Sequence, residues 1–378
     1  MSTSAETGSG STAAAPPRSR RRWRLVAVAG LILVLLIGAF ALRLLWLGGA
    51  FTRIAPHFAG TCRLVDGPVG PEDITINQRA GVAYISASDR RALLAAKPVP
   101  GAIWSYDLTA PAAAPVNLTP EAGVAFQPHG ISLWVEPDGS ETLFIINHPV
   151  AGRGWPAHVV EIADLRGGRL QHRATLSDAR LVMPNDLVAV GIDRFYLTNT
   201  HAHPPGLRQN LETYLQLRGA NVLFYGPSGF RVAVDDLVFP NGINVSPDGH
   251  TVYVATVTQR SVLVYGRDPR SDVLTLRSQI PTGSGNDNIE VDSEGTLWIG
   301  SHPKLFAVPK HMADPSVPAP AQVLRIAAGT AKVDEVYLSD GNPTSAASVG
   351  ARYHDRLLIG QIFGRGFLDC EMAGAPSP

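Results

Sequence analysis

The chain is short of charge. Only 17% of its 378 residues are Asp, Glu, Lys or Arg, and 32 basic residues cancel 32 acidic ones. No basic run occurs beyond residue 24, so the electrostatic footprint of nucleic-acid binding is missing. Cysteine is nearly absent, with Cys62 and Cys370 alone. Helix-spaced apolar residues are also scarce, whereas 37 glycines, 30 prolines and many short β-rich runs are present. The expectation is an all-β architecture with frequent turns. The length suffices for one large domain or two ordinary ones.

The N-terminus reads as a separate object. Residues 1–24 form a Ser/Ala/Gly/Pro-rich, then basic, segment whose first part is expected to be disordered. Arg18, Arg20, Arg21, Arg22 and Arg24 precede eighteen uncharged residues, Leu25–Leu42, and the apolar character continues past Arg43 to Leu47. Such a stretch can span a bilayer, with the arginine side kept in the cytoplasm. Residues 25–47 are therefore expected to be a signal-anchor helix, leaving residues 55–372 as the exported domain and 373–378 as a tail. The rival is a cleaved signal peptide, since Ala39-Phe40-Ala41 has the small-x-small form. In an exported protein the two cysteines read as one disulfide joining the first strand to the last; two free buried thiols are the alternative.

One pattern recurs along the remainder. A polar pair precedes an alternating strand, a turn follows, and a second apolar strand completes the unit. Copies begin at Glu72-Asp73-Ile74, His129-Gly130-Ile131, Asn185-Asp186-Leu187, Asn241-Gly242-Ile243 and Asp287-Asn288-Ile289. A weaker sixth begins at Ser345-Ala346-Ala347. The first apolar positions recur every 46 to 58 residues, the size of a four-stranded propeller blade. Alternation at period two excludes helical repeats. The predicted fold is a six-bladed β-propeller preceded by a transmembrane helix.

Equivalent residues of such repeats meet at one end of the central channel. Glu72, His129, Asn185, Asn241, Asp287 and Asn288 would form a ring rich in carboxylate and carboxamide oxygens. That chemistry suits calcium, which accepts six to eight oxygen ligands, while zinc or copper would need more His or Cys. Local strand capping by Asn and Asp is the structural alternative. Strand alternation turns Asp73 and Asp186 away from the ring, where they could hold a second, more buried ion.

Several longer motifs resemble those of the serum paraoxonase/arylesterase family in order. They are Cys62-Arg63-Leu64-Val65, Pro71-Glu72-Asp73, Phe126-Gln127-Pro128-His129-Gly130-Ile131-Ser132 and Asn147-His148-Pro149. Pro184-Asn185-Asp186-Leu187-Val188-Ala189-Val190-Gly191, Asn241-Gly242-Ile243-Asn244-Val245-Ser246-Pro247-Asp248-Gly249, Asp287-Asn288-Ile289 and Cys370-Glu371 continue the series. The resemblance implies a calcium-dependent hydrolase of lactones and aryl esters with two ions. It assigns Glu72, Asn185, Asn241, Asp287 and Asn288 to a catalytic calcium. Asp73, Asp186 and the Ile131 carbonyl fall to a structural one. It also implies a His129–His148 pair over the metal, a Cys62–Cys370 disulfide and a hydrophobic N-terminal anchor.

The mechanism expected from these residues is attack of water on a metal-polarised carbonyl, with His129 as general base and His148 orienting it. A pocket-shaping role is the alternative for both. Phe239 is placed at the acyl pocket, and Leu207, Leu211, Tyr214, Leu215 and Leu217 at roughly helical spacing form a candidate lid. His201, His203 and His302 read as loop histidines. The family's Asn-Asp-His reads Asn199-Thr200-His201 here, and Asp89–Pro100 departs in length and composition; both bear on substrate range. Alternative readings are a gluconolactonase- or strictosidine-synthase-like propeller, and a non-catalytic propeller that uses calcium only structurally.

Overall fold

The computed structural model describes residues 4, 8, 10, 18–110, 113–150 and 158–373. The expectation for the extreme N-terminus and most of the tail falls outside them. Two compact units emerge, Met1–Trp46 and Leu47–Pro378.

In the first unit a helix runs Arg18–Leu47, reaching into the start of the second. It begins at Arg18 instead of the expected Leu25, because arginines are good helix formers and extend the apolar helix backwards. Its Arg22–Leu47 portion is apolar and long enough to cross a membrane.

The second unit is a six-bladed propeller built of antiparallel sheets. The innermost strands are Pro71–Asn77, Pro128–Val135, Pro184–Gly191, Pro240–Val245, Gly285–Val291 and Ala347–Tyr353. They touch in cyclic order, and the sixth returns to the first. Blade six draws its outer strand, Gly60–Val69, from the N-terminal end of the unit, where it pairs with Arg365–Met372. Cys62 faces Cys370 in that pairing, and the two form the disulfide across 308 residues. Blade five gains a short fifth strand, His57–Phe58.

Alternation along each strand buries apolar side chains on both faces of every blade, so a core forms between each neighbouring pair. Ile74 and Ile85 of blade one meet Val349 and Leu358 of blade six. Phe144 and Ile146 of blade two meet Leu187 and Phe195 of blade three. At roughly 25 cal/mol per Å² of apolar area, these six interfaces are the main force closing the ring.

The inner strands share one irregularity. Register slips between Pro71 and Asp73, Pro128 and Ile131, Pro184 and Leu187, Pro240 and Ile243, and Asn286 and Ile289. In blade six it slips between Ala347 and Val349. The residue equivalent to Ile74 is thus Val349, which corrects the expected Ala347 by two positions. A bulge breaks strict alternation and re-aims the side chains beside it.

The stripe Leu207–Leu217 contains a helix, Leu207–Leu215. It leaves Leu207, Leu211, Tyr214 and Leu215 exposed and buries only Glu212.

Candidate metal and catalytic site

The six bulges bring the start of every inner strand to one end of the channel, and contacts link them around it. Asp73 of blade one accepts the Ile131 N–H of blade two at 2.7 Å. A β-carbon on Gly130 would stand 2.5 Å from the Asn185 carbonyl oxygen, so blades two and three meet where only glycine fits. Thr198 of blade three donates to the Asn241 carbonyl of blade four at 2.5 Å. Gly242 lies against Asp287 of blade five just as closely, at 2.4 Å for the added carbon. Asn288 donates to both the side chain (3.0 Å) and the carbonyl (3.2 Å) of Glu72. Ser348 of blade six donates to that same carbonyl at 2.5 Å.

Within this closed circle, four side-chain oxygens are buried and accept no hydrogen bond: Glu72 Oε2, Asn185 Oδ1, Asn241 Oδ1 and Asn288 Oδ1. Buried oxygens are rarely left so, because the lost hydration costs about 1–3 kcal/mol each. Asn288 illustrates the cause: its amide nitrogen is spent on Glu72, which leaves its oxygen pointing elsewhere. Asp287 joins them, buried, with Oδ2 2.9 Å from Nε2 of His302. Among the described residues, no three His, Cys, Asp or Glu side chains converge into a metal site of their own. A donor set of two carboxylates and three carboxamides instead fits a hard cation with many oxygen ligands.

Electrostatics divide the acids. Burial pushes Glu72 up, but His129, Arg90 and the Asn288 bond overcome it and hold the carboxyl down to about 2. His129 Nε2 lies 3.5 Å and the Arg90 guanidinium 3.8 Å from Glu72 Oε2. Burial, then the charge of Glu72, drives Asp73 well above the carboxylate range. Asp186 is raised in the same way, by burial and then by Asp73. Burial also raises Asp287, against the pull of His302.

Asp73 and Asp186 are not idle. Each bonds the N–H of its own successor, Ile74 at 2.9 Å or Leu187 at 2.7 Å. Each also bonds an N–H in the next blade, Ile131 or Ile243, both at 2.7 Å. The structure thus turns the Ile131 N–H towards Asp73.

Above the ring, His129 Nδ1 lies 2.8 Å from His148 Nε2. Phe239 packs against His201, ring centroids 4.4 Å apart, with its backbone in the left-handed region at φ +42°. His201 is buried and bonded to Thr213 at 2.8 Å, and His203 pairs with Glu212. Both lie in the loop between Asn199 and Leu207, as the sequence reading has them, whereas His302 ends the strand Leu297–His302.

Three residues near the ring escaped sequence reasoning. Arg90 opens a short helix, Arg90–Leu94, capped by Asp89, and its guanidinium enters the site. His302 ends a strand opposite Gly285, one pair beyond Ser301–Asn286, the register at which Asn147 faces Pro128 and Asn199 faces Pro184, so His302 takes the place in its blade that His148 takes in blade two. That recurring register was the available signal. His158 precedes Val159, which pairs with Asn147, so hairpin register sets it beside His148.

A family model described as Arylesterase matches residues 57–372. Serum paraoxonase/arylesterase 2 of Rattus norvegicus is 34% identical, covering 82% of this chain and 88% of its own. Serum paraoxonase/arylesterase 1 of Homo sapiens is 33% identical, with coverage of 85% and 92%. Among solved structures, the calcium-binding protein regucalcin of Agrobacterium tumefaciens superposes with a TM-score of 0.51 at 15% identity, covering 85% of this chain and 96% of its own. That last likeness concerns the fold alone.

Proposed function

The chain belongs to the arylesterase family, and from that premise we propose that it is a calcium-dependent hydrolase of lactones and aryl esters. The observation that carries the calcium reading is the set of four buried oxygens, on Glu72, Asn185, Asn241 and Asn288, that accept no hydrogen bond. Together with Asp287 they would hold the catalytic ion. When bound, it supplies positive charge that polarises a substrate carbonyl and steadies the negative charge developing on its oxygen.

The protein's own groups do the rest. His129 Nε2, the ring atom nearer Glu72, takes a proton from the attacking water. His148 bonds the opposite nitrogen, Nδ1, and so orients the ring. Asn185 and Asn241 define where the carbonyl oxygen settles. Phe239 walls the acyl pocket, its left-handed backbone being the kind of local strain found at functional positions.

A second, structural ion would sit with Asp73, Asp186 and the carbonyl of Ile131. Support comes from burial, and then from the charge of Glu72 on Asp73 and of Asp73 on Asp186, which raise both carboxyls and which a divalent charge would relieve. The apolar helix would tether an exported propeller to the membrane, or act as its signal sequence.

The test is an assay of the full chain against lactones and aryl esters, with calcium, with chelator, and with calcium restored. Hydrolysis lost and regained in step is expected. Hydrolysis indifferent to chelation would remove calcium from the reading, and none across the panel would remove the hydrolase.

A further inference from the structure

We propose that Arg90 is a specificity-determining residue, a guanidinium held beside the ring to receive a carboxylate carried by the ester or lactone. The inference rests on the hydrolase reading above and names the class of substrate within it.

Arg90 and Arg91 are neighbours on the short helix Arg90–Leu94, and their contacts differ in kind. Arg91 spends all three guanidinium nitrogens on main-chain carbonyls. Nε reaches Met312 at 3.4 Å, Nη1 reaches Phe363 at 3.1 Å and Nη2 reaches His311 at 2.7 Å. Its guanidinium also lies over the Phe363 ring, 5.1 Å from the centroid. That arginine is a clamp that fixes the helix to the loops around it. Arg90 spends one nitrogen. Nη1 alone bonds carbonyls, those of Gly70 at 3.2 Å, Ser88 at 3.4 Å and Ile362 at 3.3 Å. Among the described residues, Nη2 has only the Glu72 Oε2 contact, at 3.8 Å, beyond hydrogen-bond reach, and Nε donates to none.

The cradle behind Nη1 is built into the backbone. Gly70 has φ +60°, and a β-carbon there would stand 2.3 Å from the Ser88 carbonyl oxygen and 2.9 Å from that of Ile362. Only glycine lets three carbonyls converge on one nitrogen here. The edge that remains, Nε with Nη2, is the fork that matches the two oxygens of a carboxylate. The Arg90 side chain is 17% exposed, so a ligand can reach that edge.

Charge gives the same sign. Burial lowers the proton affinity of Arg90, and the acids that act against it are Glu72, Asp287 and Asp73. The first two belong to the proposed catalytic ion and the third to the structural one. A mostly buried cation whose neighbouring acids serve other cations gains most from an anion of its own. Facing the ring, Arg90 would find that anion on the substrate.

The experiment uses the full chain with calcium in detergent micelles and a matched pair of esters, monophenyl adipate and its neutral carboxamide. Wild-type kcat/KM should favour the carboxylate about ten- to a hundredfold, as a charge-assisted pair does. Arg90→Met should bring that ratio to about one, and Arg90→Lys, which keeps the charge but loses the fork, to a value between. Each ratio is internal to one protein, so a general loss of activity cancels. Calorimetric titration with the corresponding anilides, acid against carboxamide, should show the same preference as affinity, without turnover. Equal affinity of the wild type for the two anilides would overturn the proposal, whether or not the variants fold. So would a carboxylate preference kept in full by Arg90→Met. If no ester or lactone is cleaved, the hydrolase reading fails while the titration still answers this question.

Discussion

Glu72, Asn185 and Asn241 each present a buried oxygen that accepts no hydrogen bond, that of Glu72 facing only the longer ion-pair contacts of His129 and Arg90, whereas Asp73 and Asp186, one residue further on, each accept two main-chain N–H groups. The two layers share strands, burial and oxygen chemistry, yet differ in what completes them. The lower layer is completed by the fold, because each aspartate reaches over the glycine of the next blade to the N–H beyond it. Gly130 and Gly242 serve the other side, where an added β-carbon would meet Asn185 and Asp186 or Asp287 and Asn288 of the following blade. The upper layer keeps four oxygens that no hydrogen bond of the described residues completes. A polar group satisfied internally stabilises; one left bare in a closed ring is reserved for a ligand.

The contrast breaks most visibly at Asn241. Asn241→Ala removes an unpartnered oxygen, so hydrolysis should fall about a hundredfold or more while the melting temperature in chelator barely moves. A large loss of stability with activity per folded molecule intact would mean that the upper layer is structural. Asp186→Ala is the mirror experiment. It strands the N–H groups of Leu187 and Ile243, and urea denaturation should show a loss of about 2–4 kcal/mol. Unchanged stability would mean the latch between blades three and four counts for little.

The smallest effect is a pH trend that separates the layers. Native Asp73 and Asp186 have raised affinities for protons, so their contribution is complete below the unfolded value of about 4 and is lost as pH rises through the native range. Glu72, held low, behaves oppositely: its contribution exists above its unfolded value and is lost as pH falls. In chelator, stability should therefore decline from about pH 4 towards neutrality, and added calcium should flatten the decline. A flat profile in chelator would deny the lower layer its repulsion.

Legibility followed the strength of the repeat. Five inner strands carry a polar pair and then Ile or Leu, and sequence located each, with its partner strand. Blade six carries Ala346-Ala347-Ser348 instead, small residues with no marked pair, and the register was read two residues early. The ring residues were visible because the repeat stacks them in one column. Arg90, His158 and His302 were not, since a loop helix, a hairpin register and a strand end put them there. Alternation alone also cannot send Asp287 and Asn288 to one centre; the bulge before Ile289 does.

By itself the sequence determined the number of blades, the closure between first and last strands, the apolar N-terminal helix and the oxygen-rich column. These follow from periodicity and composition, which are local properties. Only the tertiary structure decided which oxygens would be left bare, which acids would bridge blades, and that His129, His148 and His158 would meet ring to ring. Those outcomes depend on distances of a few tenths of an ångström between segments far apart in the chain, and hydrogen bonding is too short-ranged for sequence spacing to fix them.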